Sequence, residues 1–485
     1  MVFSSITFLY FFFPIALILY FCTPKSLRNY TLLALSLAFF AWGAPKFLFV
    51  LVGSCLLDFF VSRKLSPGAI SAGKRKLLLI IIIILNLGIL GYFKYANFVV
   101  DQLFRICDLL NISKFTWKNV ILPIGISFFT FQKISYLVDV YRGEVEPSRS
   151  AFEHLLYISL FPQLIAGPIV RYHDVAEQLR SRRTDAHTFL DGLWRFSIGL
   201  FKKVIIANSF ARVSDGLFDA TYELTFVEAW VGALSYTFQL YFDFSGYSDM
   251  AIGLGRIFGF RFLENFQFPY ISRGITEFWR RWHISLGRFM MEYLYIPLGG
   301  NKKGLFRTMC NLWIVFLVSG FWHGSSWNFM LWGAWHGFWI SIERFIGKDR
   351  LAKIPQVFSI PFTFLMVVFG WVLFRSPGTI NSLKMFKPMF GMGAIESNRN
   401  MLPEIFSDIY FISITTIALV FAFAPLFFKW ARKLANKNDR EVITASEIKP
   451  IWKEILCFVA SLVILLLSTM ELCATSFNPF IYFQF

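Results

Sequence analysis

The chain has 485 residues, of which 56% are apolar and 16% are charged, and 61 are phenylalanine. A soluble domain carries about a quarter charged residues and cannot bury this much apolar surface, so the composition excludes a soluble protein and indicates a polytopic membrane protein. The formal net charge of +17 fits either a nucleic-acid surface or basic cytoplasmic loops, and the distribution of the charges decides between them.

Apolar stretches long enough to cross a bilayer recur along the chain, since a spanning helix needs about 20 mostly apolar residues. Twelve candidate spans are predicted at 3–22, 29–44, 46–61, 77–95, 120–140, 189–208, 226–245, 306–323, 327–346, 358–375, 408–428 and 453–470. The first lacks a basic n-region and a small-residue cleavage site, so we expect a span and not a cleaved signal peptide. We expect a single membrane domain, 1–485, with a core at 120–346 and C-terminal helices with an extracytoplasmic tail at 358–485.

The basic residues lie in four clusters, and all four fall on one side of the membrane when the N-terminus is placed outside. The clusters are Arg63 to Lys76, Arg171 to Arg183, Arg344 to Lys353 and Lys429 to Arg440. By the positive-inside rule this side is the cytoplasm. Because one topology accounts for every cluster, no nucleic-acid partner is expected.

Two stretches fit poorly as spans because they are rich in proline or glycine. Residues 155–170 contain FPQLIAGPIV, and residues 246–260 contain GYSDMAIGLGRIFG. Irregular backbone is tolerated at membrane depth only inside protein or beside a water-filled cavity. Both stretches are therefore predicted to be re-entrant from the cytoplasmic side, with Asp243 and Asp249 flanking a turn at FSGY. These aspartates could orient an imidazole or hold the loop together, and we favour the structural interpretation.

The amphipathic stretch TEFWRRWHISLGRFMMEYLYIPLGG, at 276–300, predicts a helix along or just under the cytoplasmic interface. Trp279 and Trp282 are expected to be interfacial aromatic residues. Arg280 and Arg281 could bind phosphates there, by charge and by bidentate geometry. Anchoring to lipid head groups is an equal alternative for any one of these arginines.

The stretch SGFWHGSSWNFMLWGAWHGFW, at 319–339, places His323 and His336 among aromatic and small residues. An ionisable group at membrane depth is costly and is a functional hypothesis by default. The structural alternative is a neutral histidine bound to a backbone carbonyl, and it carries more weight for His336 than for His323.

The chemistry that suits such a histidine is limited by what the chain lacks. The histidines are irregularly spaced, and the six cysteines form no CxxC pair, so neither a metal site nor a disulfide framework is expected. Two roles fit a histidine in this setting, which are proton relay and general-base catalysis by a neutral imidazole. Because no GxSxG motif is present, direct attack by an alcohol on an activated acyl group is the simplest scheme. His154, His173 and His187 are expected to be solvated.

Three motifs occur in the order FQLYFDFSGYSDMAIG, EFWRRWHISLGRFMMEYLYIPLGG and SGFWHGSSWNFMLWGAWHG. Together they resemble the membrane-bound O-acyltransferases over Phe128 to Trp339. The segment FPQLIAGPIVRY is similar to the family's bacterial members. The chain length and the ending NPFIYFQF favour the branch of alginate O-acetylases, which also includes peptidoglycan O-acetyltransferases. This resemblance implies an all-α polytopic bundle of about 11–12 transmembrane helices with re-entrant segments around a central funnel, in the bacterial inner (cytoplasmic) membrane.

The resemblance also implies roles for individual residues. The family's invariant histidine falls on His323, which is expected to take the proton of the acceptor hydroxyl. The second motif histidine falls on His283, which is expected to position or polarise the donor carbonyl, and His336 matches the AWHG position of this branch. The donor-binding candidates are Arg280, Arg281, Trp279 and Trp322. Tyr482 is a candidate acyl relay, because a similar C-terminal aromatic motif occurs on small partner proteins of the D-alanylation system.

The implied function is acetyl transfer from cytosolic acetyl-CoA, without a bound cofactor, toward an extracytoplasmic polysaccharide. A separate periplasmic or surface acetyltransferase is expected to complete the delivery. D-alanyl transfer from a carrier protein to teichoic acid is the chemical alternative. A transporter of glycan or lipid is an alternative of another class, and it explains the tryptophan–histidine cluster less well.

Overall fold

The computed structural model describes residues 1–395, 401–436, 451–475 and 477–479. These residues form α-helices with short 3₁₀ and π segments, and no β-strand occurs among them. The prediction of an all-α protein is therefore confirmed. The chain divides into two compact units. The first is Met1–Asp185 with Gly255–Phe262, and the second is Ala186–Leu254 with Leu263–Phe485. The single membrane domain at 1–485 stays a prediction.

Eight helices build the first unit. They are α1 Phe13–Cys22, α2 Arg28–Gly43, α3 Leu48–Leu65, α4 Ala72–Leu109, α5 Ile126–Arg142, α6 Ala151–Ser159, α7 Phe161–Leu164 and α8 Tyr172–Arg180. Helix α4 has 38 residues, so the span predicted at 77–95 is only its middle part. Helix α5 begins after Gly125, whose backbone is left-handed with φ of 76° and whose missing Cβ lets the Leu164 carbonyl lie close.

The irregular stretch predicted at 155–170 is present and is buried inside the first unit. Helix α6 ends at Ser159, α7 is a single turn, and residues 160–170 are all buried. Side chains satisfy part of the freed backbone, because the Tyr157 hydroxyl donates to the Val170 carbonyl at 3.0 Å and the Gln163 amide donates to the Tyr157 carbonyl at 2.5 Å. Its expected entry from the cytoplasmic side stays a prediction.

One expectation about the first unit is wrong. His154, expected to be solvated, is fully buried, and its ring lies 4.5 Å from the Tyr136 ring. The reason is that α6 is amphipathic and turns this side chain toward α5. The side chain of His173, by contrast, is 63% exposed, as expected.

The second unit contains the helices that carry the motifs. They are α9 Ala186–Phe201, α10 Asn208–Phe218, α11 Phe226–Ile257, α12 Ile275–Arg281, α13 Ile284–Met290, α14 Gly304–His323, α15 Trp327–Ile346, α16 Lys348–Ala352, α17 Gln356–Arg375, α18 Thr379–Met389, α19 Met401–Ser407, α20 Ile409–Phe427, α21 Lys429–Ala435 and α22 Ile451–Ala474. Apolar side chains of α10, α11, α17 and α18 pack together in one core cluster of this unit.

The re-entrant turn predicted at 246–260 is wrong, because α11 runs without a break from Phe226 to Ile257. The glycines that suggested a turn instead bring α11 close to α9. A Cβ on Gly246 would lie 2.7 Å from the Gly199 carbonyl oxygen, and a Cβ on Gly253 would lie 2.5 Å from the Phe196 nitrogen. Small residues at such positions let two helix backbones approach, as they commonly do in membrane proteins.

Six helices among the described residues are long and apolar enough to cross a membrane. They are Pro45–Leu65, Ala72–Leu109, Gly304–His323, Gln356–Arg375, Ile409–Phe427 and Ile451–Ala474. These helices therefore indicate a multi-pass membrane protein. The predicted number of 11–12 spans includes shorter helices, such as α2 and α5, and stays a prediction, as does the central funnel.

Candidate active site

His323 is the last residue of α14, and a glycine-packed hairpin fixes where it lies. Gly324 follows in extended conformation, and α15 begins at Trp327 and returns along α14. A Cβ on Gly320 would collide with the carbonyl of Phe329, and a Cβ on Gly333 would collide with the carbonyl of Phe316. The two backbones therefore touch, and the end of α14 is held against the beginning of α15.

Aromatic rings surround His323 on several sides. Its ring lies 4.8 Å from that of Trp322, 5.0 Å from that of Trp332 and 5.3 Å from that of Phe374, each in an edge-to-face arrangement. His323 is 8% exposed. These rings leave the imidazole with little contact to solvent.

His323 lines an apolar pocket that is partly open. The pocket is lined by Leu240, Phe244, Trp282, His323, Trp332, Trp371 and Phe374. Among these lining residues His323 alone has a basic nitrogen. The pocket therefore offers one proton acceptor within an otherwise apolar and aromatic lining.

The helix predicted at 276–300 is broken, and His283 sits at the break between α12 and α13. His283 has a φ of 47°, a left-handed backbone that costs a non-glycine residue about 1–3 kcal/mol. The segment that follows α11 compensates with backbone hydrogen bonds. The Arg281 carbonyl accepts from the Gln267 N–H at 2.9 Å, and the Asn265 carbonyl accepts from the Ile284 N–H at 3.0 Å.

His283 is 1% exposed, and its Nδ1 lies 3.2 Å from the carboxamide oxygen of Asn265. Its Nε2 has no hydrogen-bond partner among the described residues. Burial lowers the pKa of His283 from 6.5 to about 3, so the ring is neutral. The ring lies 4.7 Å from Phe244 of the pocket and 6.3 Å from Trp322, which also contacts His323.

His336, the third predicted histidine, lies behind the pocket wall. It is fully buried, with its ring 5.1 Å from Trp279 and 5.2 Å from Trp332. A Cβ on Gly370 would lie 2.8 Å from its Nε2, so α17 leaves room for this ring only because residue 370 is glycine. Its position favours packing over contact with substrate.

The two predicted aspartates lie in the middle of α11 and not beside a turn, and both form ion pairs. Asp243 pairs with Lys203 at 2.6 Å, and both side chains are almost fully buried. Asp249 pairs with Arg195 at 2.6 Å and with Lys202 at 2.7 Å. These pairs connect α11 to α9 and to the π-helical segment Lys202–Ala207 that follows it, which supports the structural interpretation.

The donor-binding candidates separate into different environments. Arg281 is bound by Glu277 at 2.8 Å and by the Gln267 carbonyl at 3.2 Å, so it holds the backbone around α12 together. Arg280 is exposed and forms no ion pair with a described residue. Trp279 packs on His336, whereas the Trp322 ring lies 6.3 Å from that of His283 and 4.8 Å from that of His323. Trp282, expected at the interface, is 4% exposed and lines the pocket.

Several residues of the site were not predicted from the sequence. Trp371 and Phe374 come from α17, whose sequence is an ordinary apolar span, and no signal separates them from packing residues. Asn265 had a weak signal, because burying an asparagine between the apolar residues of LENFQFPY is costly unless its side chain is hydrogen-bonded.

Tyr482, the candidate acyl relay, lies outside the described residues. Of the tail, Asn478 accepts from the Asn208 side chain at 3.2 Å, and the Pro479 carbonyl accepts from Lys203.

Comparison with known proteins places these residues in a family. A model described as "MBOAT, membrane-bound O-acyltransferase family" matches residues 98–374, which contain both histidines and the whole pocket. Over all of both chains, 42% of residues are identical to "Probable alginate O-acetylase AlgI" of Pseudomonas putida. "Peptidoglycan O-acetyltransferase" of Helicobacter pylori is 38% identical over 81% of each chain.

A more distant relative has a different acyl group in its name. "Teichoic acid D-alanyltransferase" of Bacillus subtilis is 26% identical over 53% of this chain and 69% of its own. The family match covers more than half of the 485 residues, and full-length relatives agree with it. The chain is an O-acyltransferase that belongs to the membrane-bound O-acyltransferase family.

Proposed function

We propose that the protein moves acetyl groups from cytosolic acetyl-CoA across the bacterial inner membrane for O-acetylation of an extracytoplasmic polysaccharide. The observation that carries the proposal is His323 in the lining of an apolar pocket that also contains three tryptophans. The names of two relatives, an alginate O-acetylase over the full length and a peptidoglycan O-acetyltransferase over 81% of each chain, support an acetyl group and a polysaccharide acceptor.

The proposed chemical step uses His323 as a general base. The oxygen of an acceptor hydroxyl attacks the thioester carbonyl carbon, and its proton passes to the neutral imidazole. The new C–O bond forms, the C–S bond breaks, and the proton is returned to the leaving sulfur. A positioned base typically contributes about 10²–10⁴-fold to such a reaction.

On the donor side we assign Arg280, and not Arg281, to the phosphates of coenzyme A. Arg280 is exposed, whereas Glu277 and a backbone carbonyl already bind Arg281. A guanidinium binds phosphate through charge and paired N–H donors. Trp322, whose ring lies near those of both histidines, is the better of the two predicted tryptophans for contact with the donor.

On the acceptor side Tyr482 is a proposed acyl relay from which a separate periplasmic or surface acetyltransferase takes the acetyl group. The support is the tail that precedes it. Lys203 binds the Pro479 carbonyl, and Asn208 binds the Asn478 side chain, so the tail is attached to the second unit three residues before the tyrosine.

D-alanyl transfer from a carrier protein is the second candidate, and the teichoic acid D-alanyltransferase relative favours it at 26% identity. A basic cytoplasmic face suits an anionic carrier protein as well as coenzyme A. A transporter without covalent chemistry is disfavoured by membership in an acyltransferase family.

The test is acyl transfer from radiolabelled acetyl-CoA by purified protein in liposomes. We expect wild type to release or accept labelled acetyl and His323→Ala to lose this activity. His173→Ala is the matched control, because that imidazole is exposed and should not matter. Normal transfer by a folded His323→Ala variant would contradict the assignment of the base. No reaction by folded wild type would contradict the donor, and a D-alanyl carrier protein would be tested next.

A further inference from the structure

The segment between α11 and α12 places one carboxamide against the second histidine. Three donors converge on the Oδ1 of Asn265. They are the Ser285 backbone N–H at 3.2 Å, the Ser285 hydroxyl at 2.9 Å and the Nδ1 of His283 at 3.2 Å. Because a backbone N–H can only donate, the atom that faces it is the oxygen of the carboxamide and not its nitrogen.

This arrangement determines which nitrogen of His283 carries the proton. A carboxamide oxygen can only accept, so Nδ1 can bind it only as N–H. Ser285 offers no alternative, because its one hydroxyl proton is already used toward Asn265. Its oxygen, 3.4 Å from Nδ1, can therefore also only accept from that nitrogen. A neutral imidazole with a proton on Nδ1 has a bare lone pair on Nε2.

We propose that Asn265 is a positioning residue that fixes His283 in the Nδ1–H tautomer and thereby makes Nε2 a hydrogen-bond acceptor for substrate. The proposal rests on the acyl-transfer function above. It replaces the expected role of His283 in polarising the donor carbonyl, since that role needs an N–H at Nε2. The groups that fit Nε2 are hydrogen-bond donors, either an acceptor hydroxyl or an amide N–H of the donor's pantetheine arm.

Other contacts in the second unit keep Asn265 in place. Its amide nitrogen donates to the Ser248 hydroxyl of α11 at 3.2 Å. The preceding residue, Glu264, pairs with Arg195 at 2.5 Å, and Arg195 also binds Asp249 of α11. The carboxamide is therefore anchored on both sides, which is what a side chain that orients another side chain requires.

The first test is solid-state NMR of the protein in liposomes with ¹³C,¹⁵N-labelled histidine. The chain has six histidines, and the signal of His283 is assigned by its disappearance in His283→Gln. We expect the wild-type ring to carry its proton on Nδ1, with Nε2 unprotonated. A proton on Nε2 of the neutral ring would overturn the proposal, and this readout does not depend on any acyl-transfer activity.

The second test compares Asn265→Leu with Asn265→Asp. Leucine removes the acceptor, so we expect mixed tautomers and a fall in kcat/KM of roughly ten-fold or more, the size seen when an orienting partner is lost. Aspartate keeps an acceptor oxygen, so it should restore the Nδ1–H signal and most of the activity. Ser248→Ala removes one anchor of the carboxamide but keeps its acceptor oxygen, so it should shift the tautomer signal and lower kcat/KM by less than Asn265→Leu does.

The kinetic constants identify the group that Nε2 binds. In Asn265→Leu, a rise in KM for the acceptor alone points to a hydroxyl, and a rise in KM for acetyl-CoA alone points to the pantetheine amide.

An Asn265→Leu variant that keeps the wild-type tautomer and wild-type kinetics would refute the role of Asn265. If wild type transfers no acetyl group but shows the Nδ1–H tautomer, the proposed donor fails and the positioning role stands.

Discussion

His323 and His283 are both buried imidazoles near one aromatic pocket, but the backbone holds them in different ways. His323 ends a regular helix, and glycine contacts between α14 and α15 fix it. His283 lies at a left-handed break, and side chains from the segment after α11 hold it. The first placement depends on close backbone packing, and the second depends on hydrogen bonds and ion pairs. Substitutions that weaken one kind of support should therefore leave the other largely intact.

The largest effect should come from the pocket histidine itself. His323→Gln should lower turnover by about 10²-fold or more while the thermal unfolding midpoint in detergent stays near that of wild type, because the variant removes only the proposed base. Turnover is measured with labelled acetyl-CoA in liposomes.

His336→Gln sharpens this prediction, because the same change is made in an imidazole behind the pocket wall. It should lower the unfolding midpoint, since glutamine fits the cage of Trp279 and Trp332 poorly. Its turnover per folded molecule should fall less than ten-fold, a loss of less than about 1.4 kcal/mol. Equal loss of turnover in both variants would contradict the separation of base and packing residue.

The next-largest effect should come from the ion pairs of Arg195 with Asp249 and Glu264, which hold the segment that contacts His283. Arg195→Met leaves Glu264 without this partner and leaves Asp249 with Lys202 only. Breaking a largely buried pair costs roughly 2–4 kcal/mol, and the change should also loosen the segment that carries Asn265. The unfolding midpoint and the His283 tautomer signal are both measured.

Arg142→Met is the matched control, because Arg142 faces the half-exposed Glu144 at 3.8 Å. An exposed pair contributes about 0–1 kcal/mol, so the midpoint should barely move. If the two variants unfolded at the same temperature, the ion pairs around α11 would not support the site.

A smaller loss of stability is expected from the hairpin that carries His323. Gly320→Ala forces a Cβ against the Phe329 carbonyl, and overpacking of this kind costs about 1–3 kcal/mol. Gly91→Ala in α4 is the control, since no atom lies within 4 Å of its added Cβ and alanine favours helix. We expect the first variant to unfold earlier than wild type, with the His283 tautomer signal unchanged. A shift in that signal would show that the two supports are coupled.

The smallest effect should come from the donor side. Arg280→Ala should raise KM for acetyl-CoA by about two- to five-fold with kcat unchanged, the scale of one exposed charge contact. Arg281→Ala should instead lower stability, because Arg281 bonds Glu277 and the Gln267 carbonyl. The pair is compared by steady-state kinetics and by thermal unfolding. A larger change in KM for Arg281→Ala would reverse the assignment.

The amino-acid sequence by itself was sufficient for the all-α membrane fold, for the end of α14 at His323 and for the buried irregular stretch at 155–170. Each of these depends on local composition, because about 20 apolar residues form a span and proline ends a helix. The motif order also identified the family, which the comparisons confirm. The glycines of α11 led to the wrong prediction of a turn. Glycine is common both in turns and where two helices pack closely, and here the packing of α9 against α11 decided the outcome.

Only the tertiary structure decided the surroundings of the two histidines. The break at His283 depends on backbone pairing with a segment about 18 residues earlier, and its tautomer depends on Asn265 of that segment. The pocket wall takes Trp371 and Phe374 from α17, about 50 residues after His323 in the chain. Residues so far apart in sequence leave no periodic pattern in either segment, because their contact is set by how the helices pack and not by helix geometry.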